Sequence, residues 1–86
     1  FQEAGPHRWI VDPTFSLEDL NRKLRLNLDA PGADRLSGWI AHHLGRLPEP
    51  NEAVEAQGVR VTALKTEKVR VTLAQIEKLA GPEAKS

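Results

Sequence analysis

Residues 59–73 alternate apolar and polar side chains almost one by one, and that spacing constrains the fold of this 86-residue chain more than any other feature. Val59, Val61 and Ala63 interleave with Arg60, Thr62 and Leu64; Val69, Val71 and Leu73 interleave with Lys68, Arg70 and Thr72. Strand side chains point to opposite faces in turn, so the pattern predicts a hairpin buried on one face, turning at Lys65-Thr66-Glu67. A buried sheet face needs a cover, and two segments with helical spacing supply it. Ser16 followed by Asp19 marks a helix start, and Leu17, Leu20 and Leu24 form one stripe, which predicts a helix over 17–25. Leu36, Trp39, Ile40, His43 and Leu44 repeat that spacing as far as Gly45, which predicts a second helix over 33–44.

The remaining segments read mostly as strands. Phe1-Gln2-Glu3 and Arg8-Trp9-Ile10-Val11 flank the turn-rich Ala4-Gly5-Pro6-His7 and predict a first hairpin. Pro48 and Pro50 bar regular structure until a short strand at Ala53-Val54-Glu55-Ala56, bounded by Gln57-Gly58. Thr72 with Gln75 offers a cap for a short terminal helix carrying Leu73, Ile76 and Leu79, and Gly81-Pro82 ends it. The expected order is ββααβββ with that extra helix. This is an α+β fold with two helices packed on a small, mainly antiparallel sheet.

Size and charge narrow the function. A chain this short builds one modest core. Twelve basic residues balance twelve acidic ones, so no long-range field draws the whole domain to nucleic acid or an anionic membrane. The absence of cysteine removes disulfides, thiolate metal sites and a Cys nucleophile, and fits a cytosolic setting. Apolar runs reach three or four residues, as in Trp9-Ile10-Val11, too short to span a bilayer, so the piece itself is expected to be soluble. A start at Phe1 without Met suggests a piece of a longer protein.

Four groups of residues are chemical candidates. Glu49, Glu52 and Glu55 are oxygen donors for a weak divalent cation, although they lack the spacing and turn glycine of a dedicated calcium loop. Arg60, Lys68 and Arg70 fall on the polar face of the last hairpin, where they could form a local positive patch for a nucleotide phosphate or an acidic partner, with Thr62, Leu64 and Thr72 alongside. His42 and His43 point about 100° apart on a helix and cannot chelate one ion together; His43 belongs on the apolar stripe and His42 in solvent. Trp9 and Trp39 have the spacing of core residues. Ser16, Ser37 and Ser86 lack a nucleophile elbow, no phosphate-binding glycine loop is present, and the carboxylates are scattered, so no catalytic residue is expected.

Several strings in this order resemble a known family: Trp9-Ile10-Val11-Asp12, Ser16-Leu17-Glu18-Asp19-Leu20-Asn21, Leu44-Gly45-Arg46-Leu47-Pro48, Gly58-Val59-Arg60-Val61 and Val69-Arg70-Val71. Together they resemble the transporter-associated domain, also called the CorC/HlyC domain. The likeness implies one domain over 1–80 and a flexible tail over 81–86. It also implies a parent protein with transmembrane and CBS domains, associated with magnesium and cobalt efflux or labelled haemolysin, and a place for this domain on the cytoplasmic face of the plasma membrane. The expected role is regulation or protein contact, including contact with a second copy, without catalysis, nucleic acid or direct membrane insertion. The family's fold is similar to part of the vanillyl-alcohol-oxidase-type flavin domain, which raises FAD or an adenine nucleotide as an alternative ligand. The sequence departs from the family pattern at Pro13-Thr14 and in its short last turn.

Overall fold

The computed structural model describes residues 2–68 and 70–79. They form β1 (Gln2–Gly5), β2 (Arg8–Val11), α1 (Leu17–Leu24), α2 (Leu36–Leu44), β3 (Glu52–Ala56), β4 (Val59–Glu67) and β5 (Arg70–Lys78). The strands make one antiparallel sheet in the order β1-β2-β5-β4-β3. Leu17, Leu20, Leu24, Leu36, Trp39 and Ile40 from the helices meet Val11, Val59, Val61, Ala63, Val71, Ala74 and Ile76 from the sheet in one buried cluster. Both helices therefore lie on the same face, as the α+β reading requires, and both tryptophans serve the core: Trp39 is fully buried and Trp9 packs against its rim.

Two expectations fail on the last hairpin. No terminal helix forms from Thr72; the segment continues as β5 to Lys78. Leu73, Ile76 and Leu79 fit helical spacing, but Ala74 and Ile76 also fit strand spacing, and pairing decides between the two. As a strand, β5 sets Ala74 and Ile76 opposite Ala63 and Val61 on one side and Val11 and Trp9 on the other. A helix would bond its own amides and leave β2 and β4 without their shared neighbour. Nor does the chain turn at Lys65-Thr66-Glu67. It stays paired to Glu67 opposite Arg70, and Lys68 follows in the left-handed region at φ 49°. Two bulges permit this: the ladder passes over Leu64 in β4 and Thr72 in β5, so Thr66 opposite Val71 returns to the inner face. Of the sequence reading, Phe1, Val69 and the tail over 81–86 lie outside the described residues.

Helix α1 follows its sequence signals. The Ser16 Oγ accepts the Asp19 amide at 3.0 Å, acidic residues open the first turn, and basic ones close the last. Helix α2 begins three residues later than its spacing suggests, at Leu36, because Asp34 is used elsewhere: its carbonyl accepts the Leu17 amide. No side chain caps α2. Instead the carbonyls of Phe15 and Pro13 accept the amides of Leu36 and Ser37, so the turn before α1 caps the start of α2.

Between the helices, Leu26, Leu28 and Ala30 are buried in alternation, strand-like, yet this segment joins no sheet. Two carboxamides supply what a neighbouring strand would. Asn21 donates to the Leu28 carbonyl at 3.0 Å and accepts its amide at 2.7 Å. Gln57 does the same to Asp29, at 3.0 and 2.8 Å, and its Oε1 also accepts the Trp39 indole N–H at 2.8 Å. Gln57 reaches that place because Gln57-Gly58, both at positive φ, form the tight loop between β3 and β4. His43 adds a third contact, its Nε2–H donating to the Asp29 carbonyl at 3.0 Å, while His42 is exposed.

Replacing Asn21 by Ala leaves the buried Leu28 backbone without either partner. We expect a loss of about 1–3 kcal/mol in urea unfolding with the slope unchanged. A loss near zero would mean that water replaces the carboxamide.

Candidate functional site

The helices leave the opposite face of the sheet bare. On this outer face one row crosses four strands: Arg8 on β2 pairs with Glu77 on β5, Glu77 with Arg60 on β4, and Arg60 with Glu55 on β3. The charges alternate and each neighbour is paired. Arg8 lies 3.7 Å from Glu77, and Arg60 lies 3.4 Å from Glu77 and 2.6 Å from Glu55. Their side chains remain between 28 and 53% exposed, so solvent screens each pair and its contribution to stability is small. The next row carries Ile10, Gln75, Thr62 and Ala53, and the third sets Leu73 opposite Lys65.

The basic residues singled out in the sequence do not converge. Arg60 sits at one end of the β4–β5 ladder and Lys68 beyond the other, about 25 Å apart at the usual strand rise. Arg60 is not a free cation either: Glu55, by hydrogen bond and charge, and then Glu77 raise its pKa above the ordinary arginine value. Arg70 faces Glu67 across the ladder and lines a cleft with Asp12, Thr14, Ser37 and Thr72. Thr62 and Leu64 stay with β4 and Thr72 with the β5 bulge, so the positive patch expected from hairpin proximity dissolves into separate places.

The three glutamates are also divided. Glu52 and Glu55 lie three residues apart on β3, which puts them on opposite faces. Glu52 is held by a bidentate ion pair from Arg46, with Nη1 donating at 2.9 Å, and it accepts the Glu49 amide at 2.9 Å. Glu55 belongs to the outer row. Among the described residues no group of three or more His, Asp or Glu side chains is placed to hold a metal ion. What the sequence reading missed is the row itself. Arg8 and Glu77 carry no local signal, because only the register of strands distant in sequence brings them beside Arg60.

Two carboxyls are held below their ordinary values. Thr14 does this to Asp12, first through its amide at 2.9 Å and then through its hydroxyl at 2.8 Å. The Arg46 hydrogen bonds do it to Glu52, followed by the Glu49 amide. A lowered carboxyl contributes stability above its unfolded pKa and loses it as pH falls through the folded one. Replacing Asp12 by Ala should therefore lower Tm by about 2–4 °C at pH 7, with the gap to wild type closing below pH 3.8, the ordinary value for this group. Thermal unfolding followed by circular dichroism across pH 2–7 checks it, and a gap independent of pH would show that the turn owes nothing to the charge.

Comparison with known proteins adds what geometry alone does not. The family model for the transporter associated domain, CorC_HlyC, matches residues 2–80. A UPF0053 protein of Haemophilus influenzae is 30% identical over 70 residues; the match covers 81% of this chain but 17% of that protein, so the chain spans about a sixth of its relative's length. A Mg2+ and Co2+ transporter (CorC) associated region from Neisseria meningitidis superposes with a TM-score of 0.83 at 22% identity, covering 91% of this chain and 96% of the other. The transporter associated domain of a CBS domain protein from Porphyromonas gingivalis gives 0.78 at 22% identity, over 93 and 98%. A CorC_HlyC domain from a Xylella fastidiosa hemolysin, solved in complex with Mg2+ and Mn2+, gives 0.75 at 20% identity, over 85 and 89%. The chain belongs to the transporter associated domain family, CorC_HlyC.

Proposed function

We propose that the chain is a non-catalytic regulatory domain that acts by protein contact within a larger transporter-associated protein, biasing the passage of magnesium or cobalt ions. The observation that carries this reading is the bare outer sheet face, where partly exposed Ile10 and Leu73 lie beside a row of alternating charge. Such a face offers shape and charge to another protein surface. The Porphyromonas relative, a domain of a CBS domain protein, supports CBS domains of the same parent as contact partners. The Neisseria relative supports the link to magnesium and cobalt. No helix among the described residues is long and apolar enough to cross a membrane; on this reading, transmembrane segments and a place at the cytoplasmic face are assigned to the parent. A domain can bias a transporter only through contacts that differ in free energy between the transporter's states. FAD or an adenine nucleotide has weaker support, because Arg60, Lys68 and Arg70 do not meet around one phosphate position.

In the full-length parent, replacing Arg60 and Glu77 together by Ala should shift the cation concentration for half-maximal flux about five-fold or more, with the domain still folded. Flux unchanged by that pair would remove the outer face from regulation.

The Xylella domain solved with Mg2+ and Mn2+ supports a second reading, a weak divalent cation as ligand, and we propose Glu49 and Glu52 as its donors in this chain. Arg46 competes for Glu52, so Arg46→Ala should tighten binding. An amide NMR titration should show saturable shifts at both glutamates at about 1 mM Mg2+, larger in that variant. Shifts absent from both proteins would discard the site.

A further inference from the structure

Charge on the outer face alternates across the strands. Across the strands the signs run positive, negative, positive, negative through Arg8, Glu77, Arg60 and Glu55. Along β4 the order is Arg60, Lys65, Glu67, so the regular alternation belongs to the row across the strands. A row of alternating charges with an even number of members becomes its own complement when reversed. A two-fold axis parallel to the strands and midway between β4 and β5 makes that reversal. It sets Arg8 against Glu55 of a second copy and Glu77 against Arg60 of a second copy. The same operation sets Ile10 over Ala53 and Gln75 over Thr62 of the second copy, so apolar meets apolar and donor meets acceptor in the neighbouring row, while the third row, Leu73 against Lys65, adds no match.

We propose that the outer face binds a second copy of this chain, sheet against sheet, about that two-fold axis. This deepens the contact reading above and rests on it. A face with both signs interspersed presents no net field to a uniformly acidic or basic partner, whereas its own image matches it charge for charge. The four strands that this axis overlays, at 4.8 Å spacing, offer roughly 400 Å² per copy. That is below the roughly 800 Å² of a standard interface, so the dimer is weak and favoured by low salt.

Sedimentation equilibrium of the 86-residue chain from about 10 µM to about 1 mM, at low and high salt, tests the proposal. The average mass should climb towards that of a dimer at low salt and fall back at high salt. Arg60→Glu should weaken association at least ten-fold while amide spectra confirm the fold. Inverting the whole row, with Arg8→Glu, Glu77→Arg, Arg60→Glu and Glu55→Arg together, preserves every pair within the chain. That variant should self-associate as wild type does and fail to mix with it. A monomer at every concentration, or association indifferent to Arg60→Glu, or free mixing of the inverted and wild-type chains would each overturn the proposal. The cation-flux experiment on the parent is read independently, so failure of this proposal is distinguishable from failure of the contact reading.

Discussion

Strand β5 has to be paired on both sides, and most of the domain follows from that. It joins the N-terminal hairpin to the later β3–β4 hairpin, and without it the two would be separate two-stranded pieces, each marginal in water. Its inner residues Ala74 and Ile76 reach essentially zero exposure only because strands flank them and helices cover them. The helices meet the same condition from the other side. Their stripes of Leu17, Leu20, Leu24, Leu36 and Ile40 have nowhere else to go, and once they occupy one face the other must remain open.

Where the sequence could be read, the signal was local. The Ser16 cap, the leucine stripe of α1, the Gly45 stop of α2 and the alternation through Val59, Val61 and Ala63 each depend on neighbours within a few residues. Where it could not be read, the deciding contact was remote. Residues 73–79 satisfy helical and strand spacing together, and only pairing with Trp9–Val11 and Val61–Ala63 chooses. The start of α2 moved because the carbonyls that cap it belong to Pro13 and Phe15. The buried alternation of Leu26, Leu28 and Ala30 was visible, but its partners were side chains of Asn21 and Gln57, which no backbone pattern announces.

The candidate residues show the same division in chemical terms. Arg60, Lys68 and Arg70 looked like one patch because they share a hairpin, yet a ladder of this length separates the ends of its own strands. Glu49, Glu52 and Glu55 looked like one acidic site because they are close in sequence, yet strand alternation parts two of them and arginines engage the same two. Charge count alone would have called this surface featureless. Its organisation exists only in the register, where oppositely charged residues from four strands fall into line.

The two bulges carry a consequence for how such a domain can change. Leu64 and Thr72 each add one residue to opposite strands of the longest ladder, and because both are present the inner and outer faces beyond them stay in phase. Losing either one alone would turn Thr66 and Val71 out of step, sending one of them to the wrong side of the sheet. Losing both would shorten the hairpin without exchanging its faces. Length in this hairpin can therefore be altered safely only in matched steps on the two strands.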